Sequence, residues 1–136
     1  EIGMSLEDTI NLASIVQAEG MVSSELPLIS SVFHNRMEIG MKLESDATLN
    51  YTFPEGEKKW YLTYADMKSD NPYNTYYYNG LPPTAIMNPG IEAILAAVSP
   101  ADTKYFYFCG VGDGTHVFSE TYAEHAKNVD KYINNK

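Results

Sequence analysis

The chain contains very little cysteine and no excess of positive charge, and each shortage excludes a class of protein. One cysteine occurs in 136 residues, so an internal disulfide is impossible. This residue, Cys109, ends an apolar run at 105–109, which predicts a buried, unreactive thiol. The 9 basic residues are outnumbered by 18 acidic ones. Because nucleic-acid binding depends on cations that neutralise phosphates, the net charge of −9 argues against a nucleic-acid partner.

Membrane spans, metal-binding motifs and nucleotide-binding loops are also missing from the sequence. No apolar run approaches the roughly 18 residues of a membrane span, so we expect that this domain does not itself cross a membrane. The histidines, which lack a close ligand spacing with carboxylates or cysteine, are His34, His116 and His125. Neither a Gly-x-Ser-x-Gly turn nor a phosphate-binding glycine loop occurs. We therefore expect no metal and no other cofactor.

The sequence does contain enough apolar residues for one globular domain spanning residues 1–136. The hydrophobic fraction is 44%, which is ordinary for a globular protein. A chain of this length can bury a core without disulfides or structural metals. Because the sequence begins at Glu1 rather than at a methionine, we expect it to be an excised piece of a longer protein.

Apolar periodicity and capping residues predict helices towards both ends of the chain. Gly20 is a natural stop for the first helix, and the second helix tolerates Pro27 in its first turn. Asn88 and Pro89 resemble a cap followed by proline at the first helical position. The predicted bounds are Ser5 to Glu19, a start after Ser24 with an end before Gly40, Ile91 to Val98, and a last helix capped by Ser119 that runs to about Ile133.

A short hairpin and a long irregular segment complete the predicted organisation. An aromatic-rich run at 104–109 predicts a strand, followed by a turn at 110–114 and a partner strand at 116–118. Residues 41–80 show little periodicity, and such a long loop in a compact domain is usually functional or contains short elements. The predicted fold class is α+β, with helices packed around a small antiparallel sheet and the irregular middle segment bordering a cleft.

Glu19 is the strongest candidate for a catalytic residue. The apolar face of the first helix runs through Leu12, Ile15 and Val16, and the next position on that face is Glu19. Burial on this face and the negative end of the helix dipole both favour the neutral carboxyl. Both effects raise the pKa of Glu19, as a general acid requires. The alternative is that Glu19 is solvated at a frayed helix end.

Tyrosines in the irregular segment suggest a carbohydrate site. Four of the 11 tyrosines surround Asn74 and Thr75, namely Tyr73, Tyr76, Tyr77 and Tyr78. Flat apolar rings edged with hydroxyls and an amide suit a sugar ring, which has an apolar face and a polar rim. Half-buried tyrosines of a strand would give the same pattern.

Short motifs in a fixed order along nearly the whole chain carry a family resemblance. They are 12–19 (LASIVQAE), 32–37 (VFHNRM), 40–51 (GMKLESDATLNY), 73–76 (YNTY), 80–86 (GLPPTAI), 88–90 (NPG), 105–108 (YFYF) and 116–125 (HVFSETYAEH). With these motifs the chain resembles the catalytic region of the YceG-like endolytic murein transglycosylases. Many relatives carry Glu where Gln17 stands and Pro where Ala47 stands. Gln17 removes one candidate acid, so the catalytic role carries over to Glu19.

The resemblance implies non-hydrolytic cleavage of the bond between N-acetylmuramic acid (MurNAc) and N-acetylglucosamine (GlcNAc). The muramyl 6-hydroxyl attacks its own anomeric carbon in peptidoglycan glycan strands and leaves a 1,6-anhydro end. Glu19 acts first as acid and then as base, whereas usual glycosidases use two carboxylates. Cell-wall synthesis enzymes are further candidate partners. The implied location is the extracytoplasmic face of the bacterial membrane, with a parent protein anchored by an N-terminal transmembrane helix.

Two motifs in the irregular segment supply the predicted substrate-binding residues, which are Asp46, Thr48, Tyr51, Asn74, Thr75 and Tyr76. Asp46 either orients the surroundings of Glu19 and binds a sugar hydroxyl, or has a turn or cap role. Asn74 bonds either an acetamido group or a backbone loop, with the former preferred. His116 and His125 are expected to be structural or rim residues.

Two other functions fit the same sequence. A hydrolytic muramidase would cleave the same bond with a second carboxylate, for which Asp46 is the candidate. A non-catalytic peptidoglycan-binding module would be favoured if Glu19 were solvated and outside any cleft.

Overall fold

Helices and one hairpin form the structure, a computed structural model that describes residues 3–59 and 62–134. Residues 60 and 61 of the predicted irregular segment lie outside the described residues. The helices are α1 (Leu6–Glu19), α2 (Leu26–Glu38), α3 (Asp46–Asn50), α4 (Tyr64–Met67), α5 (Ile91–Val98) and α6 (Tyr122–Val129). The strands are β1 (Tyr107–Gly110) and β2 (His116–Ser119), which pair antiparallel. The predicted α+β fold, with helices packed against a small antiparallel sheet, is confirmed.

The core lies where α1, α2 and α5 pack together. Leu12, Ile15 and Val16 of α1 are completely buried, as their spacing along one helix face predicts. They join a cluster that includes Phe33 of α2 and the small side chain of Ala97 from α5. Complete burial of each large apolar side chain contributes about 1.5–3 kcal/mol. This packing holds the C-terminal end of α1 against the rest of the molecule.

Gly20 ends α1 and allows α2 to approach closely. Its backbone is extended, with φ −106° and ψ 132°, so the left-handed conformation common at helix ends is not used. A Cβ atom at this position would lie 2.4 Å from Cδ2 of Leu26 and 3.0 Å from Cδ1 of Ile29. Gly20 is therefore required by close packing, and this close packing fixes the direction of the chain immediately after Glu19.

The predicted cap of the last helix is wrong, because that residue belongs to the hairpin. Ser119 belongs to β2, where it pairs with Tyr107. Thr121 caps α6 instead, through a capping box with Glu124. α6 then continues as a single π-helical turn at Asp130–Asn134.

The predicted bounds of α5, Ile91 to Val98, are confirmed, but Asn88 is not its cap. Its cap is Gly90, whose carbonyl accepts the first helical hydrogen bond from the N–H of Ile94 at 3.1 Å. The N–H of Gly90 in turn donates to Oε1 of Gln17 at 2.9 Å. Gln17 thus joins α1 to the start of α5, a tertiary contact that local sequence does not reveal.

The irregular segment folds around two short helices, α3 and α4. α4 has a capping box between Thr63 and Asp66. The two ends of the segment meet where the Thr75 carbonyl accepts the N–H of Glu44 at 3.2 Å. Among the described residues, no helix is long and apolar enough to cross a bilayer. Cys109, at the sheet end of the fold, is buried as predicted, and burial raises the pKa of its thiol.

Candidate active site

A cavity of about 540 Å³ opens where the end of α1 meets the irregular segment and the hairpin. Glu19 reaches it from α1, and Arg36 reaches it from α2. The irregular segment contributes Asp46 and Tyr76, and the hairpin contributes His116. Other polar and aromatic residues on the cavity include Glu44, Ser45, Tyr107, Phe108, Tyr122 and His125.

The Glu19 carboxyl group is desolvated inside this cavity. The residue as a whole keeps some exposed surface, but its carboxyl group is enclosed by the surrounding side chains. This desolvation raises the pKa of Glu19 above its ordinary value. Asp46 raises this pKa further by charge repulsion, while the Ser45 hydroxyl and His116 lower it. The balance favours a neutral carboxyl group, which can donate a proton.

Ser45 is the direct hydrogen-bond partner of Glu19. Its hydroxyl donates to Oε2 of Glu19 at 2.5 Å. Ser45 is itself held by two threonines, because its N–H donates to Oγ1 of Thr75 at 2.8 Å and its carbonyl accepts the hydroxyl of Thr48 at 3.0 Å. Sequence reasoning did not single out Ser45, although it lies next to Asp46 within one of the motifs.

Thr48 and Thr75 therefore lie behind the cavity wall rather than on its surface. Thr48 is 0% exposed and Thr75 is 2% exposed. Their hydroxyl oxygens are 3.1 Å apart, which links the two motifs directly. Both residues contact Ser45 in the structure. Their predicted contacts with substrate stay a prediction, and their burial does not support it.

Asp46 and Tyr76 form a pair on the cavity surface. The Tyr76 hydroxyl donates to Oδ1 of Asp46 at 2.5 Å. Burial raises the pKa of Tyr76, and the bond to Asp46 adds to this increase. The phenol therefore stays protonated and holds the Asp46 carboxylate in one orientation.

Asn74 and Tyr51 have surroundings different from those predicted for substrate-binding residues. Asn74 is 0% exposed, and its amide donates to the carbonyl of Ser69 at 2.9 Å and to that of Met67 at 3.0 Å. Of the two predicted roles of Asn74, the structure shows hydrogen bonds to a backbone loop. Tyr51 is 46% exposed, packs on the Tyr73 ring at 5.4 Å, and is not among the described residues that line the cavity.

The aromatic residues on the cavity come mostly from the C-terminal third of the chain. Of the predicted tyrosine cluster, only Tyr76 lines the cavity. The Tyr107 ring stacks on His125 with 5.0 Å between centroids and an angle of 23°. Tyr122 lies 5.9 Å from Tyr107 and is 67% exposed. Sequence reasoning missed Tyr107 and Tyr122, because a tyrosine in a strand or a helix gives the same local pattern whether or not it faces a cavity.

Arg36 holds the irregular segment against the hairpin. Its Nε donates to the Phe106 carbonyl at 2.7 Å, and its Nη1 donates to the Lys42 carbonyl at 3.0 Å. Nη1 is also 3.6 Å from Oε1 of Glu44. Glu44 has φ 53°, an uncommon left-handed conformation for a residue other than glycine. This bend precedes Ser45 and helps place it over Glu19.

Comparisons with known proteins identify the family of this chain. Residues 1–131 match the sequence model of the YceG-like family. An endolytic murein transglycosylase of Bacillus subtilis is 37% identical over 98% of the chain, and one of Streptococcus pneumoniae is 27% identical over 98%. The chain spans 36% and 25% of the lengths of these two relatives.

A solved structure supports the same relationship. The crystal structure of a YceG-like protein from Listeria monocytogenes superimposes with a TM-score of 0.81 at 39% identity. The match covers 91% of this chain and 39% of that one. Because the family match extends over nearly its whole length and agrees in both sequence and fold, the chain belongs to the YceG-like family.

Proposed function

We propose that this chain is the catalytic domain of an endolytic peptidoglycan lytic transglycosylase. It cleaves the MurNAc-β-1,4-GlcNAc bond within glycan strands and leaves a 1,6-anhydro-MurNAc end. The observation that carries the proposal is the Glu19 carboxyl group, which faces the cavity with its pKa raised by desolvation. The names of the Bacillus and Streptococcus relatives support this class of reaction.

In the proposed reaction one carboxyl group transfers a proton twice. Neutral Glu19 donates its proton to the glycosidic oxygen as the bond from that oxygen to the muramyl anomeric carbon breaks. The muramyl 6-hydroxyl oxygen then bonds to the anomeric carbon, and its proton passes to the Glu19 carboxylate. The acid is restored and no water is consumed, so a second catalytic carboxylate is not required.

The cavity walls supply two kinds of support for this reaction. The carboxylates of Glu44 and Asp46 lie on the cavity and favour the positive charge that develops on the sugar. The exposed Tyr122 ring, beside Tyr107, offers an apolar face for a sugar ring. Both features suit a hydroxyl-rich substrate such as a glycan strand.

A hydrolytic muramidase is the second candidate, because Asp46 lies on the same cavity as Glu19. In that reaction Asp46 would activate water or form a covalent intermediate. The Tyr76 hydroxyl already occupies Oδ1 of Asp46, which disfavours a nucleophilic role. A non-catalytic binding module is disfavoured by the desolvated Glu19 carboxyl group.

Mass spectrometry of digested glycan strands tests the proposal. We expect anhydro ends from the parent protein, whereas reducing ends would indicate the muramidase. Glu19→Gln should retain the fold and lose nearly all cleavage, by roughly 10²-fold or more, since an amide cannot exchange the proton. Glu7→Gln changes an exposed glutamate on the same helix and should keep full activity. Substantial cleavage by folded Glu19→Gln would contradict the assignment.

The location and partners of the parent protein follow from the same proposal. A peptidoglycan substrate places the domain at the extracytoplasmic face of the membrane. We propose that the longer parent protein is anchored there and works beside cell-wall synthesis enzymes. Fractionation of cells that express the full-length protein, with this domain probed by external protease, tests the orientation.

A further inference from the structure

A histidine and a glutamate form a pair at the cavity that the proposed reaction leaves unused. Nδ1 of His116 lies 2.9 Å from Oε1 of Glu25, and the His116 backbone N–H donates to Oε2 at 3.0 Å. Only 11% of the His116 side chain and 13% of the Glu25 side chain are exposed. Both oxygens of one carboxylate therefore bind one residue, which fixes the position of the imidazole.

The Glu25 carboxylate also sets the tautomer of the ring. An ionised carboxylate only accepts hydrogen bonds, so Nδ1 of His116 carries the hydrogen. In the neutral ring Nε2 then has a free lone pair. This nitrogen has no hydrogen-bond partner among the described residues. Because His116 lines the cavity and Glu25 is not among the described lining residues, Nε2 is the polar atom that the ring can offer to a ligand.

Aromatic packing holds the ring in this orientation. The Phe108 ring lies 5.4 Å from the imidazole at 86°, and the Phe118 ring lies 6.3 Å away at 51°. His116 and Glu19 are neighbours within one cavity, because both residues line it. The other ionisable groups on this cavity, apart from Glu19, are Arg36, Glu44, Asp46, Tyr76, Tyr107, Cys109, Tyr122 and His125.

We propose that His116 is a substrate-binding residue whose Nε2 accepts a hydrogen bond from an acetamido N–H close to the scissile bond. Glu25 is its positioning residue, because it holds both the tautomer and the orientation of the ring. The inference rests on the proposed function for the class of ligand, an N-acetylated glycan. It adds an acceptor on the hairpin side of the cavity, facing the end of α1 that carries Glu19.

Binding in an inactive background tests the inference separately from the reaction. In Glu19→Gln protein, calorimetry with an oligomer of N-acetylglucosamine measures affinity without turnover. We expect this affinity to depend on the tautomer of His116, because only a neutral ring with its hydrogen on Nδ1 leaves Nε2 free to accept a hydrogen bond. The products of glycan digestion test the proposed function, whereas this binding experiment tests the role of His116.

Two substitutions distinguish the acceptor role from a structural one. Glu25→Gln can still accept the His116 backbone N–H, but its amide donates to Nδ1 and moves the ring hydrogen to Nε2. We expect affinity about tenfold weaker, as the loss of one hydrogen bond implies, and nitrogen NMR of the ring should show the hydrogen on Nε2. His116→Phe keeps a flat ring without an acceptor and should weaken binding by a similar factor, and it decides the outcome if Glu25→Gln fails to fold.

A histidine outside the cavity provides the control. His34 bonds the Ala97 carbonyl at 2.8 Å, so His34→Gln should leave the affinity unchanged. The inference is overturned if folded Glu25→Gln or folded His116→Phe binds the probe with the affinity of the background protein.

Discussion

At the scale of single residues, the Glu19 carboxyl group is controlled by what surrounds it in the folded chain. Burial opposes its charge, and the Ser45 hydroxyl partly offsets this effect. A carboxyl group whose pKa is raised on folding destabilises the fold when it ionises. Glu19 is thus expected to reduce the stability of the protein near neutral pH, an arrangement that functional sites often show.

Replacement of Glu19 by Gln should therefore increase stability or leave it unchanged near neutral pH. The penalty from ionised Glu19 is absent below its unfolded pKa, grows as pH rises from that value, and is constant above the raised folded pKa. Thermal melts of both proteins from acidic to neutral pH measure the difference, which should vanish in acid. A Glu19→Gln variant that melts clearly below the parent at neutral pH would show that the ionised carboxylate is favourably bonded.

Substitution of Ser45 should change the pH dependence of cleavage. The Ser45 hydroxyl lowers the Glu19 pKa, so Ser45→Ala should raise it and extend activity to higher pH. The maximal rate should fall by roughly tenfold, because Glu19 loses its only direct hydrogen-bond donor among the described residues. Rates measured across the pH range check both effects.

A matched control exists for this variant. The exposed hydroxyl of Ser23 donates to Oε1 of Glu92 at 2.8 Å, outside the Glu19 cavity. Ser23→Ala should leave the pH profile unchanged. If Ser45→Ala had the same profile as Ser23→Ala, the hydroxyl would have no part in setting the ionisation of Glu19.

At the scale of elements, the turn from α1 into α2 determines where Glu19 lies. Gly20→Ala should destabilise the fold by about 1–3 kcal/mol, because its Cβ would lie 2.4 Å from buried Leu26. Urea unfolding measures this loss. Gly110→Ala is the control, since its Cβ would meet no atom closer than 4.0 Å. Equal stability of the two variants would contradict the close-packing role of Gly20.

Sequence patterns predicted the long elements better than their ends. The spacing of Leu12, Ile15 and Val16 defines a buried helix face wherever that helix packs, so α1 was predictable. Ser119 and Thr121 are both good helix caps. The capping box with Glu124 favours Thr121 locally, and pairing with Tyr107 in the hairpin removes Ser119. The cap of α5 similarly depends on its contact with α1.

At the scale of the whole molecule, one cation joins α2, the irregular segment and the approach to β1. Arg36 donates to the carbonyls of Phe106, Lys42 and Leu43. Lysine lacks the planar guanidinium group that donates these hydrogen bonds at the same time. Arg36→Lys should lower stability by about 1–3 kcal/mol and weaken activity, as the Glu19 cavity loses its support.

Denaturant unfolding and glycan digestion on the same preparation check this prediction. The exposed Lys104→Arg variant, in which one cation replaces another, should match the parent in both measurements. Parent-like stability in Arg36→Lys would show that the three carbonyls find other donors, and that Arg36 does not hold the cavity wall.

The sequence by itself determined the fold class, the buried face of α1 and the choice of Glu19, because each depends on local spacing or on motifs read in order. Tertiary structure alone decided which groups surround that carboxyl. Ser45 lies 26 residues from Glu19, and His116 lies 91 residues from Glu25. Local patterns carry no information about such distant contacts. Packing of the irregular segment and the hairpin against α1 and α2 therefore decided which side chains reach the cavity. This packing buries Thr48, Asn74 and Thr75. It leaves His116, Tyr107 and Tyr122 on the cavity.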